Sequence, residues 1–357
     1  MELQQFVDNN KDYVNLFKKE GLKVIKYRDL IIVKNYYNKP LRFNDETDYW
    51  KMYCRGAIID TIKNKVVCLP PVKSILIDID FTFAGGESQC LVDGTMINLF
   101  YTNGLWLLST RSEIGGHNKW INKKSFKKMF EECCDIDMDL LDKDCSYSFV
   151  MRHKDNRNVS PIKDNEIYLV EVYKFNYDLP GKAIERLTLD QYPSNIQKIN
   201  TVCLSDFCVM KSMENNYETK GYTVKEGNRR YKIVNSEFER VKSLKINMNN
   251  ELLNYIELRK NGNLKEYLKY YPENSKLFEE YRSQIHNLSN ELYNNYKDYF
   301  IFKKKEKKEL PYHLKPFINE IHKNYLINKK PTTWQDIKDY IHGLPSKRLV
   351  FALNYSE

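Results

Sequence analysis

The side chains in this sequence that could do chemistry are mainly cationic, and several stand in turns or near the ends of predicted strands. An arginine guanidinium can hold a phosphate through two parallel hydrogen bonds, and a lysine supplies a compact positive charge. Seven cations, singled out by the motifs described below, are candidates for such a phosphate site: Arg55, Lys73, Arg111, Arg157, Lys220, Lys225 and Lys232. A plainer interpretation stays open at this point, since Arg55 and Arg111 could be salt-bridge partners and Lys73 a solvated loop residue.

An Asp93-Gly94 pair stands directly before a predicted hairpin. Apolar runs at Thr95–Tyr101 and Leu105–Thr110 flank Asn103-Gly104, a strong signal for a two-residue turn, because a type I′ turn needs positive φ twice. Taken alone, Asp93-Gly94 is an ordinary turn sequence. Asp93 and Gly94 are candidate residues of the phosphate site because they stand among the cationic candidates in the sequence.

The elements that would position these side chains change character along the chain. Short β-branched runs separated by turn residues predict strands over most of residues 1–245, and apolar residues spaced near 3.6 predict helices afterwards. Thr332-Thr333 predicts a helix start, and Gly343-Leu344-Pro345 predicts a break. We therefore expect an α+β domain with antiparallel sheets over residues 1–245 and an all-helical C-terminal domain over residues 246–357.

Composition limits the classes of function. The chain has 357 residues, 42% of them hydrophobic, and no apolar run long enough for a membrane helix. Its start shows no signal-peptide pattern, so we expect a cytoplasmic protein without a membrane partner. The formal net charge of +9 favours an anionic partner such as nucleic acid. The eight cysteines have no zinc spacing, so we predict no metal ligands among them and expect most to be buried as small apolar residues.

Seven separated segments follow the order of the motifs of phage T4 RNA ligase 1-like enzymes, a family of covalent nucleotidyltransferases that the chain resembles. The segments are Cys54–Asp60, Leu69–Ser74, Leu91–Thr95, Ser109–Gly116, Phe149–Val159, Lys220–Lys225 and Tyr231–Val234. The resemblance implies a nucleotidyltransferase domain with ATP-grasp-like antiparallel sheets. It also implies that a lysine in a Lys-x-Asp-Gly motif attacks the α-phosphate of ATP or GTP, and that Arg55 contacts nucleotide phosphates.

The chain departs from the family at charged positions. The position of the attacking lysine is Leu91, which has no nucleophilic atom. The implied glutamates fall at Val150 or Met151 and at Lys220, and the second lysine of a Lys-x-Lys motif falls at Val234. The lost groups would have bound ribose or a divalent metal and stabilised the α-phosphate in the transition state. Four such losses indicate that lysine adenylylation is gone.

Three hypotheses follow, in order of preference. The first is a pseudoenzyme without catalytic residues that binds nucleotide or RNA through Asp93, Gly94 and the cationic candidates. The second is an active but atypical RNA ligase, which would need ATP or GTP, Mg²⁺ and another lysine such as Lys220 or Lys232. The third is an interaction protein whose cleft serves a partner protein. The composition and the resemblance together suggest a large DNA virus of a eukaryote, and hence host cytoplasm.

Overall fold

The computed structural model describes residues 2–35, 46–77, 87–119, 124–178, 183–189, 196–199, 216–227, 229–245 and 250–355. It divides into two compact units, Met1–Lys242 and Ser243–Glu357. The first, called here the sheet unit, combines antiparallel sheets with a few helices, and the second, the helical unit, is helical in its described residues. This arrangement confirms the predicted α+β class with a helical C-terminal region.

The sheet unit contains thirteen described strands. They are β1 (Leu22–Tyr27), β2 (Leu30–Asn35), β3 (Arg55–Asp60), β4 (Lys65–Cys68), β5 (Ile75–Leu76), β6 (Glu87–Cys90), β7 (Thr95–Thr102), β8 (Leu105–Ser109), β9 (Cys145–Arg152), β10 (Glu166–Phe175), β11 (Ile184–Leu187), β12 (Gly221–Glu226) and β13 (Arg229–Val234). The helices that accompany them are α1 (Leu3–Asn9), α2 (Tyr13–Lys19), α3 (Phe126–Cys133) and α4 (Ser236–Leu244). The helical spacing of Phe126, Met129 and Phe130 in the sequence predicts α3, whereas α1 and α2 were not predicted.

The strands form three sheets, ordered β1-β2-β3-β4, β11-β10-β9-β7-β8 and β5-β13-β12-β6. All described pairings are antiparallel except that of β5 with β13. The β7–β8 hairpin turns at Asn103 and Gly104, whose φ angles are 50° and 79°. These positive φ angles fit the I′ turn predicted from the Asn-Gly pair.

Strand β9 separates the core of the middle sheet from the layer that carries the candidate site. Phe149 and Met151 pack on one face with Met129 of α3. Val150 points to the opposite face and packs with Val170 and Ile199. Because side chains alternate along a strand, the register makes Val150, and not Met151, the residue that faces the candidate site.

The helical unit contains six α-helices among its described residues. They are α5 (Glu251–Lys260), α6 (Leu264–Tyr270), α7 (Ser275–Tyr296), α8 (Lys315–Asn328), α9 (Trp334–Gly343) and α10 (Ser346–Asn354). Thr333 caps α9 by accepting a hydrogen bond from the N–H of Asp336, as the sequence predicted. None of the helices described is both long enough and apolar enough to cross a membrane.

Candidate functional site

A cleft of about 250 Å³ lies beside Leu91, at the end of β6. The N–H of Leu91 donates a hydrogen bond to the carbonyl oxygen of Gly221 (2.8 Å), which places residue 91 next to the start of β12. Val92, Tyr168 and Ile199 give the cleft an apolar wall. Since Leu91 carries only carbon in its side chain, the cleft holds no nucleophile at this position.

Asp93 lines the same cleft, and its buried carboxylate is held in place by the chain around it. Its Oδ2 accepts hydrogen bonds from the N–H groups of Val159 (2.9 Å) and Ser160 (3.1 Å). Its Oδ1 lies 3.6 Å from the ammonium nitrogen of Lys220. The carboxylate therefore ties together three segments of the sheet unit.

Gly94 is required by the close approach of β9. A Cβ at this position would lie 2.4 Å from the carbonyl oxygen of Met151 and 2.7 Å from Cγ1 of Val150. Steric repulsion prevents a Cβ atom from approaching other heavy atoms so closely. The densely packed core leaves little room for the neighbours to move away. Gly94 thus acts by being small, and Val150 occupies the space beside it.

Arg157 shapes the loop that holds Asp93. Its Nε and one terminal nitrogen both donate to the carbonyl oxygen of Val159, at 3.1 Å and 2.8 Å. Next to it, the side-chain amide of Asn156 donates to the hydroxyl of Thr95 (2.8 Å). These bonds position the N–H groups that Asp93 accepts, so the geometry gives Arg157 a positioning role in addition to its predicted place among the phosphate-binding candidates.

Lys220 supplies the cation nearest to Asp93. Its side chain is only 25% exposed, and its ammonium lies 5.8 Å from the centre of the Phe238 ring. Burial lowers the pKa of Lys220 below that of an ordinary lysine, and the charge of Asp93 opposes this shift only in part. A positive charge therefore stands in the cleft, one residue before the strand that pairs with β6.

Lys225 is committed to a buried ion pair. Its ammonium lies 3.0 Å from a carboxylate oxygen of Glu171, and the two side chains are 2% and 1% exposed. It also donates to the carbonyl oxygen of Val170 (3.2 Å), where the register of β10 against β9 shifts. Burial alone would raise the pKa of Glu171. The charges of Lys225 and Arg230 outweigh this effect, so the pKa of Glu171 lies below its ordinary value. Lys225 is thus occupied by protein groups.

The remaining candidates gather with Arg230 into a set that we call the cation group. It comprises Arg55 and the four cations that interact with it electrostatically, which are Lys73, Arg111, Arg230 and Lys232. Gly56 allows the approach, since a Cβ on it would lie 3.0 Å from the Cα of Arg111. Its φ of 115° also suits glycine.

Two further contacts fix members of the cation group. Arg230 donates to the hydroxyl of Ser74 (2.8 Å), next to Lys73 in the chain. Arg111 donates to the side-chain oxygen of Asn35 (2.6 Å) at the end of β2. The group is therefore built from β2, β3, β13 and two loops that the sheets bring together.

Positive charge within the cation group is poorly balanced. Burial lowers the pKa of Arg55 to about 10, and the charges of Arg230 and Arg111 lower it too. Burial and the charge of Arg55 likewise lower the pKa of Lys73. The pKa of Lys232 is lowered by burial and by Arg55, with Glu239 opposing. Mutual repulsion of this kind is relieved by a bound anion.

Several donors in the group also lack partners. Among the described residues, the Nε atoms of Arg111 and Arg230 are buried without a hydrogen bond, and Arg55 has no ion pair with a carboxylate. Burying an unpaired cation or N–H is unfavourable. An oxyanion such as phosphate would satisfy both the charge and the donors.

Three residues that contact the candidates were not predicted from the sequence: Glu171, Arg230 and Asn35. An acidic residue within the apolar run Leu169–Val172 was a signal for Glu171, because a carboxylate inside a buried strand needs a partner. Arg230 and Asn35 carried no comparable signal.

A separate cluster joins Glu132, His153 and Asp155, whose potential ligand atoms lie within 4.8 Å of one another. Lys124 already places its ammonium 2.8 Å from Glu132 and 2.9 Å from Asp155. His153 Nδ1 accepts from the N–H of Asp155 (3.1 Å), and its Nε2 lies 2.8 Å from Glu132. The cluster is thus a satisfied network in which lysine supplies the positive charge.

The cysteines described in the structure are free. Cys54, Cys68 and Cys145 are buried, while Cys90, Cys133 and Cys134 are half-buried. Cys203 and Cys208 lie outside the described residues.

Comparison with protein-family models and with curated proteins found no match for this chain. Among solved structures, a protein of Aquifex aeolicus provisionally assigned as an ATP-dependent DNA ligase is similar, with 12% identity and a TM-score of 0.44 over 97% of this chain and 77% of that one. An archaeal ATP-dependent RNA ligase is similar in its form 1 (10% identity, TM-score 0.42, 99% of this chain and 80% of that chain). Its form 2 has 11% identity and a TM-score of 0.45 over 81% and 83%. Similarity at this level does not by itself assign a fold or an activity.

Proposed function

We propose that the chain is an RNA ligase-like protein related to the phage T4 RNA ligase 1 family that binds nucleotide or RNA without forming a covalent adduct. Its nucleotidyltransferase domain would span residues 1–245 and its helical domain residues 246–357. The observation that carries the proposal is the cation group, where Arg55 is half-buried beside other cations and has no carboxylate partner among the described residues. Leu91 explains why binding would not proceed to adduct formation.

Lys220 supplies a positive charge that could replace a metal ion in phosphate binding. Its ammonium lies 3.6 Å from Asp93. The pKa of Lys232 is lowered mainly by burial and by Arg55, and Lys220 adds a smaller repulsion, so Lys220 acts on the same group of cations. A charge fixed by the chain can neutralise phosphate without Mg²⁺. We therefore expect RNA or nucleotide binding to persist in EDTA.

The first experiment separates binding from adduct formation. The full chain is incubated with radiolabelled ATP or GTP and Mg²⁺ or Mn²⁺, then run on a denaturing gel, while filter retention measures binding of radiolabelled RNA in Mg²⁺ and in EDTA. We expect retention in both buffers and no label on the denatured protein. A label that survives denaturation would overturn the proposal.

Such a label would support the atypical ligase. The observation that favours this second function is the lowered pKa of Lys220, because an amine that loses its proton readily is a better nucleophile. The variant Lys220→Met would then lose the label.

The binding site is tested with Arg55→Ala and with Arg28→Ala as the matched control, since Arg28 is exposed in the same unit. Arg55→Ala should weaken RNA binding and reduce the slope of log affinity against log salt by about one. Arg28→Ala should change neither quantity. Equal behaviour of the two variants would place the anion site elsewhere.

A further inference from the structure

A second concave site lies in the helical unit, at the start of α8. It is a cavity of about 210 Å³ lined by Tyr312, His313, Lys315, Phe317, Arg348 and Phe351. Two of these rings stand in solvent, with Tyr312 70% and Phe351 61% exposed. A contiguous exposed apolar patch beside a cavity often marks a ligand-binding site.

The cavity wall is fixed by aromatic stacking and an ion pair. His313 stacks on Tyr355 with ring centres 5.1 Å apart, and Phe351 meets Tyr355 at 5.8 Å. Opposite them, the guanidinium of Arg348 lies 4.8 Å from the centre of the Phe317 ring and is held by Glu320 at 2.7 Å. These contacts preorganise planar surfaces, which lowers the entropic cost of stacking a planar ligand.

Polar groups around the cavity suit a nucleobase and its phosphate. The Nδ1 atom of His313 is buried and has no hydrogen-bond partner among the described residues, so the cavity wall contains an unsatisfied polar atom. Lys315 has no ion pair in the described part of the chain and lies in the first turn of α8, where both its charge and the helix dipole favour a phosphate.

The charge of the helical unit favours an anionic polymer as the source of that base. Residues 243–357 contain 20 Lys and Arg but only 14 Asp and Glu, which is most of the positive excess of the whole chain. Aromatic platforms flanked by cations are how proteins hold single-stranded nucleic acid. We infer that this pocket binds an unpaired base of RNA by stacking it on the exposed Tyr312 and Phe351 rings.

This inference rests on the proposed function for the choice of RNA, but its site is separate from the cation group. The test uses the full chain and a short single-stranded RNA that carries one 2-aminopurine, whose fluorescence is quenched when it stacks. We expect quenching on binding. Tyr312→Ala and Phe351→Ala should abolish the quenching and weaken affinity about tenfold. The control Tyr325→Ala, which alters another exposed tyrosine of this unit, should do neither.

Each outcome separates the two proposals. Arg55→Ala should weaken affinity but leave the quenching intact at saturating protein. If Arg55→Ala leaves RNA affinity unchanged while Tyr312→Ala still abolishes quenching, the cation-group proposal is wrong and the proposed base-binding pocket is supported. Quenching that survives in folded Tyr312→Ala and Phe351→Ala proteins would overturn the pocket. So would an abasic RNA that binds as tightly as the intact one, or AMP that competes as well as the oligonucleotide.

Discussion

Replacing Lys225 by methionine tests whether this lysine serves the fold or a ligand. In the structure its ammonium lies 3.0 Å from Glu171, with both side chains almost fully buried. Lys225→Met would leave a carboxylate buried without its main partner, which typically costs roughly 3–5 kcal/mol. Because the hydroxyl of Tyr173 bonds to Glu171 (2.5 Å) and Arg230 lies near it, we expect the lower end, about 3 kcal/mol.

Thermal unfolding followed by circular dichroism measures the effect. For a unit of this size, about 3 kcal/mol corresponds to a decrease in Tm of roughly 6–12 °C. The double variant Lys225→Met/Glu171→Gln should recover most of the loss, because the amide keeps an acceptor for Tyr173 and removes the unpaired carboxylate charge. The control Lys174→Met breaks a half-exposed pair with Asp142, which is worth less than about 1 kcal/mol.

The binding assay completes the test. Below its unfolding transition, Lys225→Met should bind RNA as the unaltered chain does. If Lys225→Met is as stable as Lys174→Met and binds RNA more weakly, the interpretation of Lys225 as a structural cation is wrong and it belongs with the phosphate-binding residues.

Three further predictions follow from the same contacts. Gly94→Ala should lower the free energy of unfolding by about 2 kcal/mol or more in urea titration, because its Cβ would meet Met151 and Val150; an unchanged midpoint would show that the site can relax. Because the pKa of Glu171 is lowered on folding, its contribution to stability is complete above its ordinary value of 4.5 and is lost as pH falls through the folded pKa; in acid titration by circular dichroism, Lys225→Met/Glu171→Gln should lack this loss. Burial lowers the pKa of Lys220 and Lys232, so RNA affinity measured by filter retention should decrease as pH rises, beginning below the ordinary lysine value of 10.5; affinity constant up to that pH would contradict their role.

Local sequence was enough to predict many elements. The turn at Asn103-Gly104 needs positive φ at two residues, which few residue types tolerate. The hairpin could therefore be predicted from these two residues. The cap at Thr333 and the break before Pro345 likewise depend on groups only a few residues apart. In contrast, α1 and α2 are seven residues each, too short for a helical period to stand out.

For the candidate site as well, some features were predictable from the sequence and others depended on tertiary structure. The absence of a nucleophile at Leu91 and the abundance of cations are properties of the sequence, since side-chain chemistry belongs to the residue type. Which cations are occupied was decided only by tertiary structure, because Lys225 meets Glu171 across a pairing of distant segments. The sheet register likewise turned Val150 toward the site and Met151 into the core. Burial in the fold, which no local pattern encodes, is what turns Arg55 and its neighbours from solvated charges into a group that favours an anion.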